Sequence, residues 1–406
     1  MTSGLKTLYG LQIISGVLSF IASTTMAIMI LRSAPKLGTP FRRIIFGLSV
    51  SDMLQSISSV IGPIVTVPAP GNIKLWNIGN QKTCDFQGFI VTFGATMCCF
   101  YTLFLCMFFL HVVKYNKTNK EFSTTIERKM HGIAIAYSLC TSVTYLIFGF
   151  YNNVPHGNMC FVIDSPFGCH MDQNMECERG EYSANVLALT MIPCMFISVA
   201  MHYYLGSLYL FVKKDGERQR KRFTLSLRMN NQPNSRRSSL PDNERTQRTR
   251  DDEQIESLVS RIRRTNNRIP ATNAPVYVTR AERRSRALSR QTLKQSSMYA
   301  GAYLIAYAPP LLTYFGWQRQ GQYHPLAFAI VAHTIYPLQG LLTLLVYTRP
   351  KVLTVRQQNP DLSWHQAIWE VIKTGGDIPA KYQRSRRRTL GWQLGNDIPV
   401  EINRRR

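Results

Sequence analysis

Seven apolar stretches, each too long for an ordinary core helix, recur along this 406-residue chain, and the charged residues sit almost entirely between them. They cover residues 8–31, 44–67, 86–113, 130–150, 184–212, 298–317 and 325–347. A hydrocarbon layer ~30 Å thick takes about 20 apolar residues of helix to cross, and a charge at its centre costs roughly 2.5–3.5 kcal/mol on insertion scales. Among groups charged at neutral pH when exposed, only Asp52 falls inside a stretch. The pattern predicts an all-α membrane protein, a bundle of seven transmembrane helices. The first stretch reads as a membrane helix and not a signal peptide. Its apolar run is too long, and no basic leader or small-residue cleavage site frames it.

With 48 Lys and Arg against 23 Asp and Glu, the bulk composition is that of a nucleic-acid-binding protein. Placement of the charges argues otherwise. If residues 1–7 are a short extracellular N-terminus, 43 of the 48 basic residues fall in the inner loops and tail, as cytoplasmic segments require. Membrane topology then accounts for the basicity, no nucleic-acid partner is expected, and anionic inner-leaflet lipid supplies the counter-charge at ~1 kcal/mol per basic residue. The same map puts Cys84, Cys160, Cys169 and Cys177 on the oxidising side, where two disulfides can form in three ways. Cys98, Cys99, Cys106, Cys140 and Cys194 lie within helices and behave as small apolar residues.

The N-terminus is too short to capture a ligand, so helices and outer loops must build any site. Residues 151–183 carry three of the outer cysteines and the acids Asp164, Asp172, Glu176, Glu178 and Glu181, and read as a lid. Polar and aromatic residues placed in the outer half of the bundle, Gln87, Thr92, Asn185, Tyr314, Trp317 and His333, suit a small amphipathic ligand. The third inner segment, 213–297, has the composition of disorder, with its ends extending helices five and six over 213–229 and 280–296. Within it, Ile255, Leu258, Val259 and Ile262 have helical spacing, either a partner-binding helix or a chance pattern. Arg236-Arg237-Ser238-Ser239-Leu240 is what basophilic kinases read, so such a kinase is an expected partner, with Ser239 the favoured acceptor over Ser238. The tail, 348–406, opens a short helix at Trp364 whose Trp364, Ile368 and Ile372 share a face. It either lies along the membrane interface or packs on the bundle.

Leu48-Ser-Val-Ser-Asp52 resembles the second-helix motif of rhodopsin-like G-protein-coupled receptors, in which the acid organises a buried polar network. The matching Asn of helix one and the Asn-Pro-x-x-Tyr of helix seven are absent, so the resemblance does not carry a sodium site. Helix seven instead reads Tyr336-Pro-Leu-Gln339-Gly340 and ends at Val346-Tyr347, similar to cAMP-receptor-like and secretin-like receptors with their Gln-Gly pair. Pro337 removes a backbone hydrogen bond and Gly340 admits a close neighbour, so a hinge is expected there. Cys160-Phe161, Pro166-Phe-Gly-Cys169 and Cys177-Glu-Arg-Gly180 look like the cysteine-rich outer loop of cAMP-receptor-like proteins of microbial eukaryotes. The resemblance implies pairing of Cys84 with Cys160 and, by default, Cys169 with Cys177. His111-Val-Val-Lys114-Tyr115 replaces the Asp-Arg-Tyr of rhodopsin-like receptors, which excludes their ionic lock.

The function so implied is reception of an extracellular small molecule and transduction to a heterotrimeric G protein, at the plasma membrane, without a cofactor or enzymatic step. Asp52, Pro309, Pro337, Gln339 and Gly340 are its expected switch residues, with Pro193 and Pro310 as further bend points. A retinal protein would need a lysine in 325–347, and a membrane metal hydrolase more His and acids than His333 and Asp52. A transporter of a small solute is the alternative, although no repeat of halves is visible.

Overall fold

In the computed structural model, residues 2–33, 36–66, 78–115, 117–154, 159–169, 175–230, 274–320 and 326–375 are described. The side chains of Thr2, Ala184, 219–230, 274–288 and 313–320 are outside that description. The fold is predominantly helical, with α1 Thr2–Arg32, α2 Pro40–Val65, α3 Gln81–Lys114 and α4 Asn119–Ile147. After a hairpin come α5 Ser183–Asn230, α6 Ala274–Gln320, α7 Leu326–Gln358 and α8 Trp364–Lys373. Six of these, α1–α5 and α7, are long and apolar enough among the described residues to cross a membrane, the build of a multi-pass membrane protein. The chain divides into two compact units, Met1–Leu208 with Thr292–Arg406, and Tyr209–Gln291. In the second, the described residues belong to α5 and α6.

Local chemistry sets the helix starts. Pro40 at the first position of α2 follows Thr39, so its missing N–H costs nothing. Capping boxes open α3 at Asn80 with Thr83, α4 at Thr118 with Glu121, and α8 at Ser363 with Gln366. The helices outrun the apolar stretches: α1 already begins at Thr2, ahead of the first stretch at 8–31, and α5 and α6 continue into their polar flanks as expected. The kinase motif at 238–239 and the helical spacing at 255–262 lie outside the described residues, as do the basic runs 384–388 and 404–406 of the tail.

Prolines inside the helices remove backbone donors, and at two of them, Pro63 and Pro193, a side chain of a neighbouring helix takes the acceptor so freed. Pro63 cannot donate to the Ser59 carbonyl, and Gln12 Nε2 of α1 donates to it instead at 3.1 Å. Pro193 likewise leaves the Leu189 carbonyl, which the Tyr137 hydroxyl of α4 takes. In α7, Tyr336–Leu338 tightens to a 3₁₀ turn around Pro337 before the helix resumes at Gln339. Three serines of α2 bridge to their own preceding turn, Ser49 to Ile45, Ser56 to Asp52 and Ser59 to Gln55, so each is small and internally satisfied. Such residues let helices approach closely: a Cβ on Gly16 would sit 3.2 Å from the Ser56 carbonyl.

At the end of the bundle remote from the disulfides, Arg43 of α2 grips Glu127 of α4 with two bonds, Nε to Oε1 at 2.6 Å and Nη2 to Oε2 at 2.7 Å. Glu127 closes a π-helical turn, Ser123–Glu127, and its Oε1 lies 3.6 Å from His131 Nε2, while His131 Nδ1 meets the Tyr101 hydroxyl at 2.9 Å. This chain ties α2, α3 and α4 together. Glu127→Gln is expected to lower the unfolding midpoint by a few degrees, about 1–2 kcal/mol given the part-exposed guanidinium, in a detergent thermal melt. An unchanged midpoint would make the pair a bystander.

The tail helix α8 packs on the bundle through Ala367 and Val371, both fully buried, and Gly375 turns in the left-handed region (φ 65°) against Arg32 and Ser33. The face predicted from Trp364, Ile368 and Ile372 is therefore shifted. Trp364 and Trp369 are exposed, the Arg356 guanidinium stacking on Trp364 at 4.4 Å.

Candidate functional site

A polar hub sits inside the bundle where α7 tightens to its 3₁₀ turn. Gln55, buried on α2, accepts from the Tyr307 hydroxyl of α6 at 2.8 Å and directs Nε2 at the Tyr336 carbonyl of α7, a long contact of 3.5 Å. That Tyr307 hydroxyl also lies 3.5 Å from the Ala95 carbonyl of α3. One carboxamide thus touches α6 and α7 and, through Tyr307, faces α3. Its ring completes the junction, stacked on Tyr303 at 4.5 Å and edge-on to Tyr336 at 5.4 Å. One turn along α2, buried Asp52 accepts from the Cys98 thiol of α3 at 3.4 Å.

Just beyond that turn, the Gly340 N–H donates to Ser19 Oγ of α1 at 3.0 Å. Glycine is required by space: a Cβ there would fall 2.0 Å from Ser23 Oγ and 2.7 Å from Ser19 Oγ. Pro337, Gln339 and Gly340 are all buried, and Pro309 is half-buried two residues after Tyr307. The expected switch residues Asp52, Pro337 and Gly340 therefore lie on the elements that meet at one junction. Gln55, Tyr307 and Ser19, absent from the sequence-based set, make its contacts. A glutamine inside an apolar stretch is the signal that marks Gln55, since an unpaired carboxamide in hydrocarbon is costly.

The disulfide-bearing end is a built lid. Strands β1 Tyr151–Asn153 and β2 Cys160–Val162 pair antiparallel, Asn153 opposite Cys160. Cys84 at the start of α3 is bonded to Cys160, and Cys169 to Cys177, the two pairs that the resemblance implies. One turn below Cys84, Gln87 Oε1 accepts from the Cys160 N–H at 2.6 Å while its Nε2 donates to Ser58 Oγ of α2 at 2.7 Å. Arg179 pairs with Asp85 at 3.1 Å and donates to the Gly149 carbonyl at 3.2 Å. Tyr151, fully buried, fills the space beside Gly88 and packs edge-on against Tyr145, with Phe150, Val162 and Leu187 around them. Gly180 (φ 73°) turns the lid where a Cβ would meet the Ile163 carbonyl at 2.6 Å.

Of the six residues expected to line a pocket, four have described side chains, and these stand in different settings. Gln87 is a clamp whose carboxamide is engaged between lid and α2, and it offers no open face to a ligand. Asn185 is exposed on α5. Thr92 is buried on α3, His333 is half-buried on α7, and the side chains of Tyr314 and Trp317 lie outside the described residues. Among the described residues one metal-like grouping occurs, Asp164 with Cys169 and Cys177, but its two sulfurs are already joined to each other.

No protein-family model and no curated protein matches this chain.

Proposed function

We propose that the chain is a seven-helix G-protein-coupled receptor, N-terminus outside, that passes an extracellular small-molecule signal to a heterotrimeric G protein. The observation that carries this reading is the hub at the α7 turn. A receptor needs an element with two arrangements that a ligand on one side biases and a partner on the other reads. Here a 3₁₀ turn in α7 is held by one α2 glutamine that also holds α6, so a shift of either helix trades the same two hydrogen bonds. The basic inner loops give that movement a surface suited to a G protein, to anionic lipid and to a basophilic kinase acting at Ser238 or Ser239. The sequence reads α6 as the sixth of seven crossings, over residues 298–317, and the engaged lid favours a ligand seated beneath or beside it.

The test is nucleotide exchange on a panel of G proteins by the full chain in nanodiscs, with a small-molecule library that includes cAMP. Ligand-dependent exchange is expected. Silence across the panel from protein with a sharp thermal transition would sink the reading. Gln55→Leu is expected to cost about 1–3 kcal/mol of stability by orphaning the Tyr307 hydroxyl. It should also change ligand-independent exchange several-fold, whereas a purely structural glutamine would alter the melt alone.

A further inference from the structure

Next to the hub, on the face of α3 turned to α5, two free thiols meet. Cys194 Sγ lies 3.4 Å from Cys99 Sγ, and the Tyr303 hydroxyl of α6 is 3.1 Å from that same Cys99 sulfur. Cys99 and Tyr303 are each 1% exposed and Cys194 9%. The neighbouring Cys98 points elsewhere, to Asp52. Three sulfur and oxygen atoms from three helices therefore converge in an apolar interior. We propose that Cys99 and Cys194 form a binding site for a soft monovalent metal ion, copper(I), with the Tyr303 hydroxyl as its polar neighbour.

Ligand type, ligand number and charge each select that ion. Thiolate sulfur favours copper(I), zinc and iron–sulfur clusters over hard cations. Zinc sites take four ligands, or three with a water. Among the described residues no third His, Cys, Asp or Glu joins this pair, so zinc is left short of donors. The hydrocarbon surroundings penalise net charge, and one thiolate with one thiol around a single positive ion is neutral. On binding, one S–H bond breaks and its proton leaves to solvent. Both sulfurs bond the metal, and nothing is oxidised or reduced.

Geometry fits with little movement. With metal–sulfur bonds of about 2.3 Å, taken from zinc–thiolate sites, the observed separation corresponds to a bent S–metal–S angle near ~95°. That leaves the Tyr303 side of the ion open to the phenol oxygen. Opening the angle towards linear would part α3 and α5 by about 1 Å, so occupancy couples to the spacing of helices that meet beside the hub.

The full chain, kept anaerobic with ascorbate in nanodiscs, would be titrated with copper(I) against a coloured copper(I) chelator. Wild type should bind one equivalent. Cys194→Ser and Cys99→Ser should each bind at least 100-fold more weakly while keeping the wild-type elution volume, and Cys140→Ser, altering an exposed thiol, should bind normally. X-ray absorption on the loaded wild type should show two sulfur neighbours. The assignment is overturned if wild type takes up no copper(I), if either serine variant binds as tightly as wild type, or if zinc(II) displaces the ion. The spectroscopic readout needs no variant, so a serine protein that fails to fold does not rescue the idea.

Discussion

Gly340→Ala should destabilise the protein by about 1–3 kcal/mol, the usual cost of overpacking, although alanine is the better helix former. The added methyl would fall 2.0 Å from Ser23 Oγ and 3.1 Å from the Ser19 carbonyl, so α1 must retreat and the Ser19 to Gly340 hydrogen bond must lengthen. The double variant Ser23→Ala, Gly340→Ala removes the nearer obstacle and should recover part of the loss. Midpoints of the four proteins of that cycle, from chemical denaturation in mixed micelles, give the coupling energy directly. Additive effects would mean that the fit of α7 on α1 is loose.

Loss of the Cys84–Cys160 bond should cost more. It closes a loop of 76 residues, for which the chain-entropy model gives about 4.5 kcal/mol, and it tethers to α3 the strand whose Cys160 N–H Gln87 also holds. Cys84→Ser should therefore lower the thermal midpoint well beyond the effect of Cys169→Ser, whose bond spans 8 residues and for which the same model gives about 2.5 kcal/mol. Equal midpoint shifts would show that the lid is held chiefly by Gln87, Arg179 and the Tyr151 cluster. The Gln87→Leu protein separates these contributions, since it keeps both disulfides.

Hydropathy makes the membrane-crossing parts of the helices legible because hydrocarbon tolerates so few alternatives there. It says nothing where water resumes. Thr2 to Thr7 and the polar flanks of α5 and α6 continue as helix without an apolar signature. In the site, Asp52, Pro337 and Gly340 are readable because an acid, a ring and a missing side chain are anomalies in an apolar run. Their partners Ser19 and Tyr307 are not, since Ser and Tyr are ordinary in such a run and only the fold says which of them face α7. Gln87 shows the limit best. A glutamine near one end of α3 has the same sequence signature whether it meets a ligand or, as here, the Cys160 N–H and Ser58. The disulfide pairing is likewise beyond counting, since four cysteines leave three choices open.

The side chains that claim the proline-freed carbonyls impose a rule on how this sequence can drift. Gln12 answers to Pro63 and Tyr137 to Pro193, residues 51 and 56 positions apart that share one backbone debt. A lineage that loses Pro63 regains an N–H for the Ser59 carbonyl and relieves Gln12 of that one task. One that loses Gln12 first strands an acceptor in hydrocarbon. The permitted order is therefore proline before partner, and homologues gathered around this chain should show each pair present or absent together, with prolines missing alone more often than their partners.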